Sequence, residues 1–417
     1  MKKLLITWLL LFAIAFNLAG CTTVPTEPTS STVSQNTPLI GRENLDLLSA
    51  MIRQDSEEKS PDQVLSGSMA DFSLSLLRNS YTSHKNTLLS PYSVYLTLAM
   101  TANGARGETL AQIEALLGLS VEELNPYALY LENSSGGELA TANSVWFRND
   151  LSIEESFLQV LKDYYDAQAY SLPFDSSALD TMNAWIREKT EDRISEILDQ
   201  MDPNAQMYLI NALTFDGSWD KIYTTNDLFE GTFHSSTGDQ TVTMMTSTEG
   251  RYLCDDTATG FLKDYAGGRY SFMALLPNEG VSLEDYLSAL TGDALLSMIQ
   301  NAESTTVIAT MPKTQLETAV ELRDTLTAMG MVDAFTQNAD LSGINGQQDL
   351  FISRILHKTY LQVDEAGTQA GAVTVEEVVC KGIALQQKSV FLDRPYLMGI
   401  YDNTNGCLLF LGAVENP

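Results

Sequence analysis

The sequence predicts one α+β domain, on three observations. Helical patterns dominate the first half of the folded chain and strand-like runs the second. No internal repeat is present, and no charge run or second linker divides the chain after residue 61. With 417 residues, 44% hydrophobic and only 19% charged, the chain carries enough apolar material for a large core.

The chain opens with a segment that stands outside the fold. Lys2 and Lys3 form a short basic region, Leu4 to Leu18 is almost wholly apolar, and the small residues Ala19 and Gly20 follow, as in a secretory signal over residues 1–20. The apolar run is short for a membrane-spanning helix. "LAGC" at Leu18 to Cys21 resembles the bacterial lipobox, which implies cleavage before Cys21 and lipid attachment to its thiol. Residues 21–60 begin "TTVPTEPTSSTVSQNTP" after Cys21, a composition that cannot build a core and reads as a tether. The folded domain is predicted over 61–417.

Local signals then define the elements in order. "DQVLSGSMADFSLSLLRNS" places Phe72, Leu74, Leu76 and Leu77 among Ser and Asp, an amphipathic helix. "SPYSVYLTLAM" is a second helix, with Ser90 as N-cap and Pro91 at its first position. Gly104 and Gly107 interrupt "TANGARGETLAQIEALLG", in which Thr109 and Gln112 read as a capping box for a helix ending at Gly118. "LATANSVWF" and "MYLINALTF" are strands, with helical patterns in "SIEESFLQVLKDYYDA" and "LDTMNAWIREKTEDRISEIL" between them. "RYSFMALLP", "TTVIATMPK" and "KTYLQVDEAG" follow as strands, and "YLMGIYDN" and "GCLLFLGAV" pair around Asn405 and Gly406 as a hairpin.

Composition and motifs exclude several function classes. A net charge of −30 without any basic run argues against nucleic acid, and instead favours encounter with cationic partners. Beyond Cys21, three widely spaced cysteines remain, Cys254, Cys380 and Cys407, which read as isolated thiols. The three histidines, His84, His234 and His357, form no zinc-ligand spacing. There is no G-x-S-x-G elbow, P-loop or G-x-G-x-x-G, so the reading is of a protein without cofactor, metal or enzymatic activity.

Six segments occur together in a particular order and spacing: "LLSPYSVYLTLAMTANGARGET", "ANSVWF", "YLINALTFDGSW", "MGMVDAFTQNADLSGI", "LHKTYLQVDEAGTQAGA" and "FLDRPYLMGIYDNTNGCLLFLGAV". In this the chain resembles the serpins, from about residue 65 to Pro417. The resemblance implies a serpin fold of three β-sheets and about nine helices, with an exposed reactive-centre loop at about 365–390. It also implies irreversible, suicide-type inhibition of serine endopeptidases. The protease cleaves the loop, is held as an acyl-enzyme, and is trapped when the cut loop inserts into the central sheet.

The stretch "DEAGTQAGAVTVEEVVCKG", Asp364 to Gly382, fits that role. By resemblance Glu365, Gly367, Thr368, Ala370, Gly371 and Ala372 form the loop hinge, small residues able to pass between packed strands. "VTV" from Val373 supplies strand propensity after insertion. If Thr368 faces the core, alternation turns Ala370, Ala372, Thr374, Glu376 and Val378 inward, and Glu376 is the one costly residue to bury. The scissile bond falls at Lys381–Gly382, counting seventeen residues inclusively from Glu365. Counting back from "DRPY" gives Ala384–Leu385 instead. Lys381 implies a trypsin-like target, whereas Val379, Cys380 or Ala384 suits an elastase-like one; subtilisin-like and cysteine proteases stay open.

Ser90, Ser93, Asn211 and His357 match the family's shutter beneath the central strands, and Trp219 and Lys313 its breach, where Lys313 could pair with Glu365. Asp192 stands where a Gly is common, and Ala413 where a basic residue is usual. The whole reading is of a monomer, anchored through Cys21 on the extracellular face of a bacterial envelope, or secreted if that thiol stays free. It would hold its protease in a covalent 1:1 complex. A non-inhibitory binding protein on the same fold is the alternative.

Overall fold

A computed structural model of the chain describes residues 46–202, 204–368 and 387–417. The described chain opens with α1 (Gln63–Ser80), β1 (Thr87–Leu89), α2 (Pro91–Ala102), α3 (Gly107–Leu117) and α4 (Val121–Ser134). β2 (Leu139–Arg148), α5 (Glu155–Tyr164), β3 (Gln168–Leu172) and α6 (Ser176–Lys189) follow. A run of strands comes next: β4 (Met207–Phe215), β5 (Gly217–Ser218), β6 (Leu228–Ser235), β7 (Gly238–Cys254), β8 (Ala258–Asp264) and β9 (Tyr270–Pro277). α7 (Leu283–Ala289) and α8 (Gly292–Gln300) precede β10 (Glu303–Pro312) and β11 (Thr314–Glu321). α9 (Arg323–Ala328) and α10 (Ser342–Asn345) lead to β12 (Arg354–Val363) and the two-residue β13 (Gly367–Thr368). β14 (Lys388–Phe391), β15 (Tyr396–Asp402) and β16 (Cys407–Val414) complete the order.

The class is α+β, with ten α-helices among the described residues. Hydrogen bonds join the strands into two networks. One runs β1-β16-β15-β9-β8-β7-β10-β14 with β6 also on β7, the other β3-β2-β4-β12-β13-β5 with β11 also on β12. The expected three sheets merge into two because β7 is 17 residues long and is shared. It pairs with β8 near its end and with β6 and β10 over the rest.

The two networks enclose α2. That helix is buried at every position because it touches β16 of one network and β4 of the other. Its start is as predicted: the Ser90 side chain accepts from the Ser93 amide, and Pro91 fills the first turn, where its missing N–H costs nothing. α1 buries Phe72, Leu74, Leu76 and Leu77, as its pattern indicates.

Two local expectations are corrected. Thr109 and Gln112 do not cap α3, although the helix does end at Gly118, left-handed at φ 75°. The Thr109 hydroxyl instead accepts from the Asp340 amide, and Gln112 Oε1 from the amides of Val332 and Asp333, each at 2.9 Å. A distant loop outcompetes the helix's own N-terminus for these acceptors. α6 stops at Lys189 rather than running toward Leu198, because Glu191 (φ 50°) and Asp192 (φ 61°) turn left-handed. Asp tolerates that region better than most residues, which accommodates the departure from Gly at Asp192.

The packed chain also begins before Pro61. Leu48 is buried, the Leu47 amide donates to Ala169 O at 2.7 Å, and the Gln54 amide donates to Asp163 Oδ1 at 2.7 Å. These contacts tie the segment to the edge strand β3 and to α5, and its apolar Leu47, Leu48 and Met51 are the signal that the sequence reading passed over. The predicted signal, Cys21 and the tether up to residue 45 lie outside the described residues. No helix among the described residues is long and apolar enough to cross a membrane. Cys254 is an exposed free thiol and Cys407 a buried one.

Candidate functional site

On the edge away from β11, β12 has two different neighbours along its length. Over Arg354–Thr359 it pairs in parallel with Tyr208–Leu213 of β4. Above Thr359 that pairing ends. At its tip Val363 pairs with Thr368 of β13, and β13 pairs in turn with β5, Gly367 opposite Ser218 and Thr368 opposite Gly217. The start of the predicted loop hinge, Gly367 and Thr368, is therefore already a short strand in the sheet.

A tight turn delivers it there. The Asp364 carboxylate accepts from the amides of Ala366 (2.9 Å) and Gly367 (3.3 Å), and the Asp364 amide donates to Gly367 O at 3.0 Å. Gly367 is required for close approach: a Cβ there would stand 2.1 Å from Gly217 O and 2.8 Å from Ser218 Cα. The seated state uses the missing Cβ of this glycine for packing and not for backbone freedom, since its φ is not positive. Thr368 is fully buried, and its hydroxyl shares a hydrogen bond with Tyr265 at 2.5 Å.

Trp219 closes the turn from the other side. Its indole N–H donates to Asp364 O at 2.9 Å and its amide to Ala366 O at 3.0 Å. Its ring stacks on Tyr265 with centroids 4.5 Å apart and planes 17° apart. Lys313 and Glu365 form an ion pair at the rim, and the Lys313 ammonium holds the Glu365 carboxyl below the usual range. Both side chains are a third or more exposed, so the pair contributes at most about 1 kcal/mol.

Beneath Trp219 lies a group that the sequence reading missed. Lys263 is buried, donates to Lys221 O at 3.0 Å and to Glu249 Oε1 at 2.9 Å, and sits 4.5 Å from the Tyr223 ring centre. Burial pushes its amine pKa down, with Glu249 opposing. In the sequence it is one lysine in a strand, and nothing local announces that it is buried.

The second cluster lies under the paired half of β12. His357 stands beside Asn211 in the β12–β4 register, and its Nε2 accepts from the Ser90 amide at 2.9 Å. Asn211 accepts from the Ser93 hydroxyl and donates to Ser93 O at 3.2 Å. The structure thus brings Ser90, Ser93, Asn211 and His357 together and adds Asn143, whose side-chain oxygen accepts from Asn211. Asn143 faces Asn211 across β2 and β4, a register that one strand's sequence cannot disclose. His357 Nδ1 is buried without a hydrogen-bond partner among the described residues, and burial pushes the imidazole down to about 4. The ring is therefore neutral at physiological pH.

The remaining site calls, Ala370, Gly371, Ala372, Lys381 and Gly382, lie outside the described residues, as do Glu376 and Cys380.

Comparison with known proteins agrees with this geometry. A family model described as "Serpin (serine protease inhibitor)" matches residues 67–417. A curated relative, the serine protease inhibitor of Cyanea capillata, is 30% identical over 80% of this chain and 93% of its own length. Among solved structures, the thermophilic serpin tengpin in its native state is 39% identical, with a TM-score of 0.85 over 89% of this chain and 99% of its own. Tengpin in its latent state is 40% identical, with a TM-score of 0.76 over 86% and 99%. A family match across most of the chain, a sheet with the hinge seated in its upper end and a polar cluster beneath lead to one conclusion: the chain belongs to the serpin family.

Proposed function

We propose that the chain is an irreversible suicide-type inhibitor of serine endopeptidases, directed at a trypsin-like protease through Lys381. The observation that carries this reading is β13, two hinge residues already held between β12 and β5 at the end of the sheet where β12 leaves β4. Strand entry has a place to continue from there. The greater likeness to the native than to the latent form of tengpin is in keeping with a sheet that still has room for a strand.

In this mechanism the protease serine oxygen attacks the Lys381 carbonyl carbon and the bond to the Gly382 nitrogen breaks. The serine's proton passes through the protease histidine to the new Gly382 amine. The acyl-enzyme ester remains at Lys381 while residues from Gln369 onward follow Thr368 into the sheet. Lipidation at Cys21 would place this activity on the extracellular face of a bacterial envelope.

Incubation with trypsin, neutrophil elastase and subtilisin, followed by denaturing electrophoresis and mass measurement of the released C-terminal fragment, tests the reading. A complex that survives denaturation, with a fragment beginning at Gly382, is expected. A fragment beginning at Cys380 or Leu385 moves the scissile bond. Turnover without any stable complex, and no gain in melting temperature once the loop is nicked, sinks inhibition in favour of a binding protein.

A further inference from the structure

Beside the His357 cluster lies a cavity of about 190 Å³, bordered by the end of α4, β2, the α5–β3 connection and the segment at Asp46–Leu48. That is roughly six water volumes at ~30 Å³ each. It is smaller than the ~300–1,000 Å³ of a drug-sized site. Asn143, the acceptor for Asn211, is part of its wall.

The cavity holds an unsatisfied acid. Glu132 is in the last turn of α4, where the helix's negative end disfavours a second negative charge. Its Oε1 is buried with no hydrogen-bond partner among the described residues, and Oε2 accepts only a long 3.4 Å bond from the Thr141 hydroxyl. Burial, then the charge of Asp166, pushes the carboxyl up to about 7, with Arg53 opposing. Tyr92, on α2, also feels the Glu132 charge. Asp46 and Tyr165 face the same space, as do two lysines, Lys162 and Lys189. Neither lysine is in an ion pair among the described residues.

An orphaned buried carboxyl calls for a donor, best a cationic one, and the two lysines call for an anion. No group of three or more His, Cys, Asp and Glu among the described residues is placed to hold a metal ion, and the two lysines in the same wall favour a cation that carries its own anionic group. We propose that this cavity binds a small zwitterion of the amino acid class, its ammonium against Glu132 Oε1 and its carboxylate against Lys162 and Lys189. Through Asn143, occupancy bears on the β2–β4 side of the polar cluster beneath β12.

Calorimetric titration of the full chain with glycine and with 4-aminobutyrate tests this, with acetate and ethylamine as the corresponding half-ligands. Saturable binding of at least one zwitterion is expected, at least about tenfold tighter than either half-ligand. Because only ionised Glu132 accepts the ammonium, binding should tighten roughly tenfold between about pH 6 and about pH 8. Glu132→Gln should abolish both the binding and this pH dependence. If that variant does not fold, Lys189→Gln carries the test through loss of zwitterion binding. No saturable binding of either zwitterion, acetate binding as tightly as glycine, ethylamine binding as tightly as the zwitterions, or undiminished binding by a folded variant overturns the proposal.

Discussion

Replacing Gly367 by Ala adds one carbon atom at the closest approach of β13 to β5. The new Cβ would lie 2.1 Å from Gly217 O and 2.8 Å from Ser218 Cα, both backbone atoms that no side-chain rotation can move aside. Forcing a methyl group into such a contact costs about 1–3 kcal/mol. The alternative is for β13 to leave the sheet. Departure gives up its pairing with β12 and β5 and the shared hydrogen bond between Thr368 and Tyr265, and leaves the Tyr265 hydroxyl buried. An unsatisfied buried hydroxyl also costs about 1–3 kcal/mol, so both routes give a similar loss. At roughly 1.4 °C per kcal/mol for a domain of about 350 residues, the melting midpoint should fall by about 1–4 °C at a fixed scan rate. Trp219 reports which route is taken, since its indole bonds to Asp364 O and stacks on Tyr265. A shift in its emission marks departure of β13, and inhibition, if the proposed function holds, should then consume more inhibitor per protease trapped. An unchanged midpoint together with unchanged Trp219 emission would refute the argument that Gly367 is there for close packing.

Two further perturbations address the groups beneath. The imidazole of His357 titrates at about 4 in the fold against 6.5 unfolded, so the fold resists protonation there. Stability should be full above about pH 6.5 and decline as pH falls toward 4, by about 3 kcal/mol for this group. His357→Gln should flatten the denaturation midpoint across that window, and an unaltered slope contradicts the assignment. Lys263→Met leaves Glu249 buried without its partner and should destabilise by about 3–5 kcal/mol in urea unfolding. Adding Glu249→Gln should recover at least half of that loss; a double variant as unstable as the single one argues against a compensated pair.

What could be read from the sequence was what local chemistry decides. Ser90 and Pro91 start α2 by capping rules that need only neighbours, and Gly118 ends α3 by its left-handed φ. The same rules failed at Thr109 and Gln112, because backbone amides more than 200 residues away compete for those side chains. β6 and β7 escaped notice for another reason. Much of their length is exposed on both faces, so no two-residue hydrophobic period marks them. At the site, Ser90, Ser93, Asn211, His357, Trp219 and Lys313 were named through family resemblance. Asn143 and Lys263 were not, since their roles depend on strand register and on which end of the sheet is buried.

The split pairing of β12 has an energetic corollary. Where β12 lies against β4 the two strands are parallel, the slightly weaker arrangement per residue, and only one ladder occupies the seam. β13 instead runs antiparallel to both of its neighbours. A chain continuing downward from Thr368 would therefore, once it reached Thr359, exchange one parallel ladder for two antiparallel ones. The more tightly β4 and β12 hold each other at Arg354–Thr359, the later that exchange begins. Its direction is already set by strand polarity: between Val363 and Thr359 new bonds would form with none to break, and from Thr359 on each step would wait for the old seam to open ahead of it, like a zip that must be parted before it can close on both sides.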